Sequence, residues 1–249
     1  KVTNMFFTNY PRTLYKFGAE NSLTAIQNIS AYVDIIDQIK DNINFYEFVE
    51  IQDGERPDTI SQDLYGTVRY YWTLYLLNDN IRERGWPLTV QQIRARAIIE
   101  HPNIVLTTRE GDTLVEHFQV GDDVVGQSTG ATGTVIKRNR DLGQLFIRKT
   151  NGLTFSGSEV LRDNTNPEFP QSVQLVGAVN EYDAPHHYVD GDGVRTDVDP
   201  YSAPSVLLTP VTFLDRYNTA NDELRRIKVI KRSAINQVAK AYQEALRTV

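Results

Sequence analysis

The residues best suited to chemistry lie close together in the segment YDAPHHYVDGDGV, residues 182–194. This segment contains side chains of the types that bind metal ions: Asp183, His186, His187, Asp190 and Asp192. Adjacent histidines in a strand are expected to point to opposite faces, so one ion would rarely bind both. The DGDG run also lacks the later glutamate of a calcium-binding loop. We therefore predict no metal site and interpret the segment as a solvated or partner-facing loop.

The glycine-rich run GQSTGATG, residues 126–133, has some features of a phosphate-binding loop. Such a loop needs a lysine and a serine or threonine after its last glycine, followed by a helix whose N-terminus faces the phosphate. Here Thr134, Val135 and Ile136 follow, and they favour a strand. The pattern therefore predicts tight turns between strands rather than a phosphate site.

Nothing in the sequence assembles a catalytic set. There are four histidines, no G-x-S-x-G motif and no cysteine. No two carboxylates are paired in an aromatic cleft of the kind that glycosidases use. We predict that the chain is not an enzyme, with no catalytic, cofactor-binding or metal-binding residues.

Composition limits the classes of partner. The chain has 249 residues and a formal net charge of −6, which disfavours a nucleic-acid binder with a basic stripe. The lack of cysteine fits folding in a reducing cytosol. No run approaches the ~18 consecutive apolar residues that a membrane helix needs. We expect a soluble acidic protein whose partners are proteins or small molecules.

Residues 45–105 have the clearest pattern, and we predict that they form one compact unit. FYEFVEIQ, from residue 45, predicts a strand, and Pro57 and Gly66 begin and end a short helix. The segment Val68–Leu77 predicts a second helix that is apolar nearly all round, which requires burial. We expect its own strand and sister helix to cover one side, and the N-terminal segment or another subunit to cover the rest. Trp72 is therefore predicted to be buried rather than available to stack on sugars.

Residues 118–162 change in character, with short β-rich runs separated by Gly, Asn and Asp. The dipeptide Asn151-Gly152 between LFIRK and LTF is a strong signal for a two-residue hairpin turn. About five short strands in this span predict a small β-barrel inserted into the chain.

The flanking regions are more mixed. Residues 1–44 predict an extended start and then a helical or partly helical segment from about Asn21 to Asn42. Residues 163–249 predict an irregular acidic linker followed by a helix, a strand and a closing helix, with Thr212 and Asp215 capping the first helix. Six acidic side chains lie between Glu181 and Asp199, and five basic ones lie between Arg225 and Arg232. Each run is either a solvated face or a contact between subunits.

The full motif set resembles a known family. The chain contains FFTNYPRTLYKFG near its start, YEFVEIQDGERPDTISQDLYGTVRYYWTLYLLNDNIRERGWPL in the middle and NDELRRIKVIKRSAINQVAKAYQEAL at its end. In this order they resemble the baseplate wedge proteins of contractile-tailed, T-even-like bacteriophages, over roughly residues 1–105 and 205–249. The family resemblance implies a LysM-like βααβ core. Together with the patterns described above, it predicts an α+β fold with this core, an inserted small barrel and a C-terminal helix–strand–helix. Tyr65, Gly66, Tyr71, Trp72, Tyr75 and Trp86 would belong to the LysM-like core.

The resemblance also implies a function. A wedge protein is a structural part of the virion that fastens neighbouring wedges together around the tail hub. Its partners would be other wedge and hub-proximal proteins, in multiple copies per virion, after assembly in the host cytoplasm. The candidate subunit contacts in the acidic and basic runs are Asp190, Asp192, Asp197, Asp199, Arg225, Arg226, Lys228 and Lys231. An alternative from another class is a peptidoglycan-binding LysM-type module at a tail tip. The span 118–162 departs from the short form of the family.

Overall fold

The computed structural model describes residues 12–16, 23–27, 42–165 and 171–248. This part of the chain is α+β and divides into two compact units. The first unit combines residues 1–89 with 221–249, and the second comprises residues 90–220. The second unit is therefore inserted into the first. In the described part of the chain, no helix is long and apolar enough to span a bilayer.

The first unit contains an exposed hairpin near its start. Strands β1 (Arg12–Lys16) and β2 (Leu23–Gln27) pair in antiparallel fashion, with Arg12 opposite Gln27. Strand β2 falls inside the segment that we predicted to be helical from about Asn21, so that start is wrong. Residues 28–41, which hold the remainder of the predicted helix, lie outside the described residues.

The core of the first unit is built on two strands and several short helices. Strand β3 (Tyr46–Glu50) is followed by helices α1 (Pro57–Tyr65), α2 (Trp72–Leu77) and α3 (Asp79–Arg84). Strand β13 (Arg226–Ile230) pairs antiparallel with β3, and helix α7 (Ile235–Thr248) closes the chain. Buried side chains from both parts form the core around the following residues: Ile51, Ile60, Leu74, Leu77, Ile81, Ile227, Val229, Ile230, Ile235 and Val238.

The predicted limits of this unit, residues 45–105, are wrong. The partner of β3 is not supplied within residues 45–105, because β13 comes from residues after the insertion. Two antiparallel strands can be distant in sequence, and local patterns carry no signal about which strand closes such a pair.

The predicted helix Val68–Leu77 is interrupted. Gly66 ends α1 in the left-handed conformation, with φ of 74°, and its N–H donates to Gln62 O. Residues Val68–Tyr70 then form a 3₁₀ turn before α2 begins. The Ser61 hydroxyl, which is buried, accepts a hydrogen bond from Tyr70 N and donates to Thr67 O. These bonds tie the turn to α1, and an unbroken helix would not make them.

The second unit contains a closed barrel of six strands. Its strands are β4 (Ile104–Thr108), β5 (Asp123–Gly126), β6 (Thr132–Asn139), β7 (Gln144–Lys149), β8 (Val160–Asp163) and β9 (Ser172–Asn180). They pair in the order β4-β7-β6-β5-β8-β9, and β9 returns to β4. Alternate side chains fill the interior, including Leu106, Leu145 and Ile147. The inserted small barrel is thus present, but its strands extend on both sides of the predicted span 118–162.

Shorter elements complete the second unit. Helices α4 (Val90–Glu100) and α5 (Gly111–Glu116) flank β4. Strands β10 (Pro185–Val189), β11 (Arg195–Thr196) and β12 (Thr209–Thr212) form a sheet in the order β11-β10-β12. Helix α6 (Phe213–Asp222) follows, and Thr212 and Asp215 exchange capping hydrogen bonds at its start, as predicted.

The predicted hairpin at Asn151-Gly152 is absent, since no strand begins directly after the dipeptide and neither residue has a positive φ. The Asn151 side chain instead accepts hydrogen bonds from Thr132 N and Leu153 N and donates to Gly130 O. This side chain joins two loops of the barrel, which is a different use of asparagine's capacity for local hydrogen bonds.

Candidate functional site

Both tryptophans are engaged inside the first unit. Trp72 is 6% exposed and stacks on Tyr242 of α7, with ring centroids 5.2 Å apart. The indole N–H of Trp86 donates to Glu55 O at 2.7 Å. The predicted burial of Trp72 is confirmed, but its cover at this point is the closing helix of the same chain. We had expected the N-terminal segment or another subunit.

The other predicted core aromatics differ in exposure. The Tyr65 hydroxyl donates to Ile230 O at 2.8 Å, and burial raises the pKa of Tyr65 to about 12. Tyr75 is half-buried, with its ring 5.8 Å from that of Trp86. Tyr71, at the break before α2, is 37% exposed. Most of these rings therefore contact other parts of the first unit.

Asn78 connects α2 to the sheet, and sequence reasoning missed it. Its buried amide donates to Leu74 O at 2.7 Å and to Lys228 O at 2.8 Å, and it accepts a hydrogen bond from Lys228 N at 2.8 Å. The amide thus binds the outer edge of β13 as a neighbouring strand would. One signal could have identified it: an asparagine just after the last apolar residue of the helix.

Arg225, one of the predicted subunit contacts, is used inside its own unit. Its guanidinium lies 3.0 Å from Asp53 and 3.2 Å from Asp222, and it donates to Ile51 O. Only 15% of its side chain is exposed. These contacts hold the segment before β13 against the end of β3.

Arg226 and Lys228 lie on the opposite side of β13 from the core residues Ile227 and Val229. The Arg226 guanidinium lies 4.5 Å from the centre of the Phe48 ring, and the Lys228 ammonium lies 4.7 Å from that of Tyr46. Phe48 is 49% exposed. We call Tyr46, Phe48, Arg226 and Lys228 the cationic-aromatic face. The fourth predicted basic contact, Lys231, donates instead to Ile43 O at 3.2 Å.

The acidic run separates into buried, turn-forming and exposed carboxylates. Glu181 is 7% exposed and accepts hydrogen bonds from Asn103, so it is not part of a solvated loop. Asp190 accepts from the N–H groups of Asp192 and Val194 and so shapes the turn after β10. Asp192, Asp197 and Asp199 are exposed.

A hydrogen-bonded chain of side chains in the second unit has the order of a catalytic triad. His101 Nδ1 lies 3.0 Å from Glu181 Oε1, and its Nε2 lies 3.3 Å from the Tyr217 hydroxyl. The Tyr217 hydroxyl also donates to the Glu100 carboxylate, and burial together with that carboxylate raises the pKa of Tyr217. The phenol therefore holds its proton and is a poor nucleophile, so this arrangement favours a structural role.

The two adjacent histidines do not point to opposite faces, contrary to the prediction. A register shift in β10 between Pro185 and His187 brings His186 Nδ1 to 2.9 Å from His187 Nδ1. Burial lowers the pKa of His186 to about 4, and the neighbouring Arg216 adds to this effect. A cavity of about 340 Å³ adjoins the pair.

This histidine pair offers little to a metal ion. The nearby positive charges oppose a cation, and the described residues contain no group of three or more His, Asp or Glu side chains placed to hold one. We therefore assign it no metal.

The glycine-rich loop encloses a carboxylate of its own chain. Glu159 is 4% exposed and accepts hydrogen bonds from Ser128 N, Thr129 N and Ser156 N. Burial alone would raise the pKa of Glu159, but these hydrogen bonds lower it overall. A side chain at Gly126 would collide with this carboxylate, since a Cβ there would lie 2.5 Å from its nearest oxygen. The loop thus binds an internal anion in the way that phosphate loops bind an external one.

Comparison with known proteins assigns the chain to no family. The chain matches no protein-family model and no curated protein sequence.

Proposed function

We propose that the chain is a non-enzymatic structural component of a contractile phage tail baseplate. In this role it fastens neighbouring wedges together as the baseplate assembles around the hub. Its partners would be wedge and hub-proximal proteins of the same phage, with several copies of the chain in each virion. Neither nucleic acid nor a membrane is required.

The observation that carries this proposal is that the aromatic residues of the first unit differ in burial. Trp72 and Trp86 are both engaged by their own chain, whereas Phe48 remains exposed beside Arg226. Rings that fill a core stabilise a scaffold, and an exposed ring beside a cation is typical of a protein-binding surface. The ordered motifs DGERPDTI, YG, ND and GWPL, which resemble those of the wedge family, point to the same role.

The direct test is genetic removal of the chain from the phage that encodes it. We expect infected cells to accumulate separate wedges, visible by sedimentation and electron microscopy, and we expect a plasmid copy to restore whole baseplates. Complete baseplates formed without the chain would overturn the proposal.

A sugar-binding assay separates this role from the peptidoglycan alternative. A LysM-type module would bind cell-wall sacculi and lose that binding on Trp72→Ala without unfolding. We expect no binding of the intact chain to sacculi, because both tryptophan rings already contact aromatic rings of the same chain. Saturable binding in a pull-down would favour the alternative.

A further inference from the structure

The two-stranded sheet of the first unit has an open edge at β3. Ile51 N, just beyond this strand, donates to Arg225 O, and residues whose backbone groups face the paired strand alternate with residues whose groups face away. The N–H and C=O groups of Tyr46, Phe48 and Glu50 therefore point away from β13. In the described part of the chain, no backbone group bonds to this edge of β3.

The outer edge of β13, by contrast, is closed by side chains. The Asn78 amide bonds to both Lys228 N and Lys228 O, and the Tyr65 hydroxyl donates to Ile230 O. A further strand could therefore join this sheet at β3 but not at β13. Two copies that paired through β3 would have closed edges on both sides, so the sheet would not grow further.

The side chains of β3 suit a second copy of the same strand. Phe48 lies at the centre of the strand, on the cationic-aromatic face, and is 49% exposed. In an antiparallel pair centred on Phe48, the two Phe48 rings would form a favourable cross-strand pair. Glu47 would lie opposite Val49 and Glu50 opposite Tyr46, so no carboxylate would directly face another. The two exposed Glu47 side chains would be diagonal neighbours about 7–8 Å apart, and salt screens their repulsion.

We propose that β3 pairs in antiparallel fashion with β3 of a second copy of this chain, in a sheet of order β13-β3-β3-β13. The open row of backbone groups, the exposed Phe48 at its centre and the absence of opposed carboxylates carry this inference. Both copies use the same surface, so the contact has two-fold symmetry and closes as a dimer. This contact goes beyond the proposed function, and it can be tested with purified protein.

The experiment mixes two single-cysteine variants, Tyr46→Cys and Glu50→Cys, under mild oxidation. The chain has no cysteine of its own. In the proposed register, residue 46 of one copy lies opposite residue 50 of the other, with Cα atoms about 5.5 Å apart, a distance that a disulfide can join. Two thiols at the same position would be about 14 Å apart, because they are four residues out of step.

The relative yields of the linked dimers report the register. We expect mixed dimers to exceed the two self-linked dimers together about tenfold, because only the mixed pair has the geometry of a disulfide. Intact-mass spectrometry distinguishes the three products. Random collisions would instead make the mixed yield about equal to the combined self-linked yield. The excess should persist at about 0.5 M salt, since backbone hydrogen bonds rather than exposed ion pairs join the strands.

A proline substitution tests whether these backbone bonds make the contact. The Phe48 N–H points away from β13, so Phe48→Pro is compatible with this edge strand but removes a donor to the second copy. The matched control, Phe48→Val, removes the same ring and keeps the N–H. In both cysteine variants, Phe48→Pro should abolish the excess of mixed dimers, and Phe48→Val should retain part of it. Thermal unfolding verifies that each variant is folded.

Two results would overturn the proposal. One is a mixed yield no greater than the combined self-linked yield, and the other is an excess that survives Phe48→Pro in a folded chain. If Phe48→Pro does not fold, the yields from Tyr46→Cys and Glu50→Cys decide the question alone. Failure of the self-pairing would leave the baseplate role intact, because the edge would then be free for a different wedge protein and the genetic test is separate.

Discussion

Single buried polar side chains determine much of the local geometry in this protein. Asn78 satisfies the backbone of both α2 and β13, and Glu159 organises the glycine-rich loop of the barrel. Each replaces backbone hydrogen bonds that the irregular parts of the chain would otherwise leave unmade. We therefore expect substitution of either side chain to lower the stability of the fold.

Substitution of Asn78 tests the first of these roles. Asn78→Ala should lower the free energy of unfolding by about 2–4 kcal/mol, because it leaves buried backbone groups of Leu74 and Lys228 without partners. Urea unfolding followed by tryptophan fluorescence measures this loss. The control, Asn44→Ala at an exposed position, should change stability by less than about 0.5 kcal/mol. Equal urea midpoints for the two variants would refute the role given to Asn78.

The Glu159 carboxylate gives a prediction about pH. Its pKa is lowered in the folded protein, so the folded state binds the proton less well than the unfolded state does. The stabilisation is therefore complete above the ordinary pKa of a glutamate and is lost as the pH falls through the lowered value. Glu159→Gln should reduce stability at pH 7 by about 1–3 kcal/mol and flatten the decline in acid. The exposed Glu116→Gln is the control, and parallel stability–pH curves for Glu159→Gln and the parent chain would contradict this account.

At the scale of elements, the closing helix α7 covers the aromatic segment. The contact between Trp72 and Tyr242 joins residues that are far apart in sequence. Trp72→Ala should cost about 3–5 kcal/mol, whereas Tyr71→Ala, at an exposed ring, should cost much less. A double-mutant cycle of Trp72→Ala with Tyr242→Ala should give a coupling energy of about 0.5–1.5 kcal/mol. Additive effects of the two substitutions would mean that the rings do not support each other.

Elements with a local signal could be predicted from the sequence. Strand β3, Pro57 and Gly66 at the ends of α1, the Thr212–Asp215 cap and the order of α6, β13 and α7 all follow from residue type and spacing. Features that depend on residues distant in sequence could not be predicted. Asn151 serves a neighbouring loop instead of a hairpin, and a register shift in β10 turns His186 towards His187.

The candidate surfaces show the same limit. The basic run could be found from the sequence, but its residues have different roles once the chain folds. Arg225 forms ion pairs within its own unit, Lys231 donates to Ile43 O, and Arg226 and Lys228 lie over the rings of Phe48 and Tyr46. No local sequence pattern shows which of these contacts a given cation makes in the folded chain.

At the scale of the whole molecule, the barrel unit is an insertion between two halves of another unit. The Asn221 side chain accepts a hydrogen bond from Leu88 N at 2.7 Å and donates to Leu88 O at 3.1 Å. The two points at which the first unit is interrupted by the insertion therefore lie side by side. Replacing residues 90–220 with a linker of about four residues should therefore leave a folded protein, because short connections suffice between adjacent chain ends. Both tryptophans remain in this variant and report its unfolding. A non-cooperative transition, or a fluorescence spectrum of solvent-exposed tryptophan, would show that the first unit depends on the insertion.

The proposed baseplate role is best tested by a density map of the mature virus particle. We expect several copies of the chain at the junctions between neighbouring wedges, with Trp72 enclosed by its own chain. Absence of the chain from mature tails, or its presence only at an outer tip with tryptophan against cell-wall sugar, would refute the proposed role.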